Sequence, residues 1–153
     1  MLLFVSCASM REPPVARIPF PEAEYAALPT SGTGIVTGQA FWKTSGRYVI
    51  PAAREEVVLN PVTSYSDQWY TVVCAAERQM ETYDQRLDKY VMRKTADDQG
   101  RFTFENVPPG EYYVNTIVRW QTGHRGVLRQ QERQLCKKIT VKNGEGTQVI
   151  LTQ

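Results

Sequence analysis

The side chains that could do chemistry are few and widely separated. The single histidine, His124, sits in Gln121-Thr-Gly-His-Arg-Gly126 beside Arg125. A general base or a metal site needs a second titratable group or ligand, and no such partner lies within sequence reach. His124 therefore reads as a solvated loop histidine, with the alternative that Trp120, His124 and Arg125 form a recognition patch. Asp97 and Asp98 could be imagined on calcium, but calcium loops spread several oxygen ligands along the chain. The run Asp97-Asp-Gln-Gly100 is more simply explained by turn chemistry. The cysteines, Cys7, Cys74 and Cys136, are too scattered for a zinc cluster. No catalytic residue, metal site or cofactor is expected, and the chain is read as a non-enzyme.

Composition narrows the partners. The chain has 153 residues, 42% apolar and 22% charged, which suits one globular domain. Its 18 basic and 16 acidic residues give a net charge of +2, far from the concentrated basic footprint of a nucleic-acid binder. Arg129, Arg133, Lys137 and Lys138 form a local basic stripe interrupted by Glu132. It reads as a solvated strand face, with attraction to an anionic surface as the sharper reading. Three tryptophans and eight tyrosines could include a sugar-stacking platform or a protein-binding patch. Trp120, at a strand end beside a polar loop, is the best candidate for exposure.

The elements that must position these residues are mostly strands. In 34–42, Val36, Gly38, Ala40 and Trp42 share one face at period two. A short strand follows at 56–59, which Pro61 cannot extend as a central strand. In 66–80, Trp69, Val73, Ala76 and Met80 recur at helical spacing behind a Ser66 or Asp67 cap, so a helix is expected there. Further strands are expected at 87–95, at 101–104 after the Gly100 turn, and at 111–120, where Tyr112, Val114, Thr116, Val118 and Trp120 alternate. Residues 121–126 read as a polar loop. Strands 134–141 and 147–151 are expected to close around Asn143-Gly144, a strong hairpin signal. Seven strands with one short helical insertion make an all-β sandwich. Residues 8–32 hold five of the nine prolines and read as an extended tether, which Ile18, Phe20, Tyr25 and Leu28 could dock in part.

Two resemblances add expectations. Met1-Leu-Leu-Phe-Val-Ser-Cys7 resembles the end of a bacterial lipoprotein signal, here short and without a basic start. It implies a truncated signal segment at 1–7, lipidation of Cys7 and, from Ala8 and Ser9, an outer-membrane lipoprotein facing the periplasm. Cys74 and Cys136 would then lie in an oxidising compartment. They either form a disulfide, contributing about 4 kcal/mol by loop entropy, or remain as two buried thiols.

The second resemblance rests on Thr95-Ala-Asp-Asp-Gln-Gly-Arg-Phe-Thr-Phe-Glu-Asn-Val-Pro-Pro-Gly-Glu-Tyr-Tyr-Val114, with Gly34-Ile-Val-Thr-Gly-Gln-Ala40 and Val57-Val-Leu59 before it. This pattern resembles the carboxypeptidase regulatory-like domains, a transthyretin-like or Ig-like sandwich, over 33–153. A metallocarboxypeptidase site is excluded by the lone histidine. Hydroxyisourate hydrolysis is disfavoured because that family's histidines and closing Tyr-Arg-Gly-Ser are missing. The resulting expectation is a non-catalytic envelope lipoprotein whose module binds another envelope protein, with carbohydrate binding through exposed aromatics as the alternative.

Overall fold

The computed structural model describes residues 12–152. The period-two segments form two sheets packed face to face. In the first, β1 (Gly34–Lys43) pairs antiparallel with β2 (Val49–Pro51) and, through register Val36↔Phe104 and Gly38↔Phe102, with β5 (Arg101–Val107). It also pairs in parallel with β8 (Gly146–Leu151). The second sheet has the order β4-β3-β6-β7: β3 is Glu56–Pro61, β4 Met92–Thr95, β6 Gly110–His124 and β7 Val127–Val141. Alternation sends Val36, Ala40, Val57, Leu59, Phe104, Val114, Val118, Val149 and Leu151 into one buried inter-sheet core. The all-β sandwich is therefore as expected, although the described residues hold eight strands rather than seven. The added one is β2.

Turn chemistry at Asp97 is as the sequence implied. Its Oδ1 accepts from the N–H groups of Gln99 and Arg101 at 2.8 and 2.9 Å, while Asp98 pairs with Arg54. Gly100 has φ 74°, and a Cβ there would lie 2.3 Å from the Ala40 carbonyl oxygen, so no other residue fits.

Three expectations for strands and turns change. Residues 87–95 are not one strand: a 3₁₀ turn at Gln85–Lys89, capped by Asp84, precedes the shorter β4. Residues 121–126 are not a loop, because β6 and β7 continue as a two-stranded ribbon that turns only at Arg125-Gly126. Asn143-Gly144 does not close a hairpin. Asn143 Oδ1 accepts from Thr33 N–H, and Gly144 N–H donates to Thr33 Oγ1. These bonds tie the turn to the start of β1, so the chain crosses to the other sheet and β8 runs parallel beside β1.

The helical insertion is present but shorter. An α-helix, α2 (Ser64–Trp69), passes into a π-helical turn, Tyr70–Ala75. Its cap is Thr63, in a reciprocal pair with Ser66, rather than Ser66 or Asp67. Met80 lies outside the helix because Glu77 takes φ 50° and turns the chain away. Gln79 and Glu81 then bracket Val15 with backbone hydrogen bonds of 2.9 and 3.0 Å.

Of the segment read as a tether, residues 12–32 lie on the domain. A short helix, α1 (Glu22–Ala26), buries Tyr25 beside Tyr65 and Leu87, with Phe20, Leu28, Tyr90 and Val91 packed around them. Ser64 donates to both carboxylate oxygens of Glu24, at 2.8 and 2.6 Å, and Gln68 joins the backbone of Ala16 and Ile18. Three of the four predicted docking residues thus enter this cluster. Ile18 stays exposed.

Candidate functional site

A groove of about 520 Å³ runs across the outer strand of the second sheet. Among the described residues β7 pairs only with β6, and its residues Glu132 to Cys136 form the groove floor. One wall is the helical insertion, through Tyr70, Val73, Cys74, Glu77 and Arg78. Trp42, at the end of β1, and Thr152, just after β8, come from the other sheet. Three distant stretches of chain thus meet at one strand edge.

The disulfide makes this arrangement rigid. Cys74 is bonded to Cys136, with 6.1 Å between their Cα atoms, so the open alternative of two thiols resolves in favour of a bridge. It joins the π-helical turn directly to β7. A second tie lies alongside, where Tyr70 stacks on Tyr113 with centroids 4.4 Å apart. The Tyr113 hydroxyl donates to Asp67 Oδ1 at 2.6 Å. Burial, reinforced by the adjacent Asp67 carboxylate, holds the Tyr113 hydroxyl protonated well above the ordinary phenol range.

The lining combines flat apolar surface with polar groups. Trp42 lies nearly parallel to Trp120, centroids 6.3 Å apart, and the Arg133 guanidinium sits 5.6 Å from the Trp42 ring centre. Glu77, Arg78, Gln79, Glu132 and Gln134 supply donors and acceptors. The Thr152 hydroxyl is buried at the groove and has no hydrogen-bond partner among the described residues. A buried hydroxyl in that state is satisfied by water or by a polar ligand. The arrangement can hold a polar molecule with apolar faces.

The residues predicted for binding are dispersed. Trp120 is half-buried against the core and braces Trp42 from behind the groove. His124 and Arg125 lie farther out, exposed at the ribbon tip, and do not join Trp120 in one site. Cys7 and the predicted signal segment lie outside the described residues. Sequence alone did not single out Tyr70, Glu77 or Thr152, and it placed Arg133 on a solvated basic strand face rather than in a groove. Only their residue types could have drawn attention to them, since no spacing links β1, the π turn and β7.

No protein-family model matches the chain, and no curated protein matches it. Among solved structures it is similar to a Pseudomonas aeruginosa protein provisionally described as a carbohydrate binding protein. The two are 30% identical with a TM-score of 0.81, over 90% of this chain and 99% of that one. The chain belongs to the same family of β-sandwich proteins as that Pseudomonas protein.

Proposed function

We propose that this protein is a non-catalytic carbohydrate-binding module and that the groove at the β7 edge holds the glycan. The observation that carries the reading is the convergence of the Trp42 and Tyr70 rings with amide, carboxylate and guanidinium side chains on a disulfide-braced floor. Sugar rings present C–H faces that pack on aromatic surface and rims of hydroxyls that need directional partners. Pockets for small ligands combine those two properties. The family relative's description favours the same class of ligand.

In this reading the sandwich is a transthyretin-like, carboxypeptidase regulatory-like domain carrying the helical insertion as one wall of its site. Lipid on Cys7 would hold it at the outer membrane on the periplasmic side. Binding to another envelope protein is the leading expectation from the sequence, and the ring-and-polar lining of the groove favours a glycan over it.

The test is an oligosaccharide array followed by titration of the best neutral and acidic hits, read by tryptophan fluorescence. Tyr70→Ala and Trp42→Ala should each weaken binding at least about tenfold, the loss of one well-packed aromatic contact, with the bound glycan recovered uncleaved. Binding that ignores both substitutions in folded protein would exclude the groove, and cleavage of the glycan would exclude the non-catalytic reading. Membrane fractionation of Cys7→Ala tests the anchor, which predicts release into the soluble fraction.

A further inference from the structure

The four most exposed large apolar side chains among the described residues are Tyr48, Leu128, Val49 and Val127, at 75, 70, 58 and 58%. They come from two different hairpins, β1–β2 and β6–β7. Gly34, at the start of β1, lies against Val141, the residue opposite Gly110 at the start of β6. At the other end Trp42 lies beside Trp120. The two strands therefore run the same way, and both hairpin tips project from one end of the sandwich. Pairing of β3 with β6 stops at Thr116, so beyond that point the ribbon has no third strand from β3.

Charge is concentrated at the same end. Residues 41–50 and 119–133 hold six arginines and lysines and one acidic residue, in a chain whose totals are 18 and 16. Arg119 is paired with Glu55 and Glu132. Lys43, Arg47, Arg125, Arg129 and Arg133 form no ion pair within the described residues. The remainder of the chain is net acidic.

We infer that this end, the β1–β2 and β6–β7 hairpin tips with their exposed aliphatic and aromatic residues ringed by unpaired cations, docks on an anionic lipid surface. The charge alone would fit any polyanion. The tips decide between them: Val49, Val127 and Leu128 gain nothing from a hydrated acidic polymer, whereas acyl chains remove their surface from water. Basic side chains a few ångströms behind would sit at the level of the headgroups, where each adds to attraction for anionic lipid. The inference stands apart from the glycan groove: Trp42, Glu132 and Arg133 border both, but none of the tip residues Tyr48, Val49, Val127 and Leu128 lines the groove.

The experiment uses the full chain with Cys7→Ala, so that no lipid on that residue contributes. Co-sedimentation is measured with vesicles of equimolar phosphatidylglycerol and phosphatidylcholine, with phosphatidylcholine vesicles alone, and with soluble polygalacturonate. Binding to the anionic vesicles is expected, weakening as salt rises. Val127→Ser with Leu128→Ser should reduce it about tenfold or more, and Arg125→Gln with Arg129→Gln by a similar factor. Tyr70→Ala, which tests the groove, should leave it unchanged. Absence of binding to anionic vesicles at low salt would overturn the inference. So would indifference to the Val127 and Leu128 replacements in protein of unchanged melting temperature, or equal binding to polygalacturonate.

Discussion

The molecule buries hydrophobic surface in two regions built on different rules. Between the sheets the core is largely aliphatic, with Phe102 and Phe104 meeting edge to face at 6.0 Å. On the insertion side, the small cluster of Phe20, Tyr25, Tyr65 and Tyr90 is aromatic and edged with polar groups. Phe20 and Tyr25 stack at 4.6 Å. Thr63 donates to the Tyr25 hydroxyl at 3.0 Å, and Asp84 N–H donates to the Tyr65 hydroxyl at 2.8 Å. Arg17 and Arg86 lie over the Tyr65 and Phe20 rings. The first region excludes water because strand alternation delivers mainly apolar groups to it, and its two hydroxyls, on Tyr112 and Thr116, each donate to a backbone carbonyl. The second is assembled from segments that bring their polar groups along, and tyrosine serves there because it buries a ring while its hydroxyl reaches a partner.

If the inter-sheet core carries the global stability, Phe104→Ala should have the largest effect. Loss of about 4 kcal/mol is expected from the removed ring and the cavity left behind, measured by chemical denaturation. A loss below about 1 kcal/mol would mean that the core collapses around the gap.

The aromatic cluster should respond to pH instead. Burial pushes the Tyr25 hydroxyl from 10.0 up to about 12; outside the cluster, burial also raises Tyr112 in the inter-sheet core and Tyr113 beside Tyr70. The folded chain therefore holds these protons more tightly than the unfolded chain. Their stabilising contribution is complete below pH 10 and is lost as pH rises from 10 toward 12. The Tyr25 share of that loss is about 2 kcal/mol. Tyr25→Phe should remove this share while costing about 1 kcal/mol at neutral pH through the lost hydrogen bond with Thr63. An unchanged alkaline slope in that variant would assign the effect to the other tyrosines.

The smallest effect is expected at the cluster's exposed rim. Arg86 contacts Asp84 at 2.8 Å and covers Phe20, and its two hydrogen bonds to the Asp84 carboxylate, with a third from the Arg86 backbone, hold that carboxyl down at about 2. Such exposed contacts are screened, so Arg86→Gln should leave the denaturation midpoint almost unchanged. A larger loss would mean that this rim belongs energetically to the core.

The same contrast explains what could be read from residue order. Val36, Ala40, Phe102, Phe104, Val114 and Val118 declare the sandwich because side-chain direction in a strand follows from a period of two. Gly100 and Asp97 declare their turn for equally local reasons. Met80 looked helical because spacing says nothing about Glu77 reversing the chain, or about Val15 waiting to bridge. Of the groove, the aromatic types were visible, but Trp42 was one strand residue among others and Tyr70 one member of a helical run.

The sequence by itself determined an all-β sandwich, the placement of most strands, an insertion of helical character, and the few groups with which chemistry could be done. Tertiary structure decided that β8 runs parallel to β1, that Cys74 meets Cys136, that Trp42, Tyr70 and Thr152 line one groove, and that two hairpin tips share an end. The physical reason is range. Periodicity and turn geometry act over a few neighbouring residues, whereas each of these pairings joins residues many positions apart and exists only once the sheets have packed.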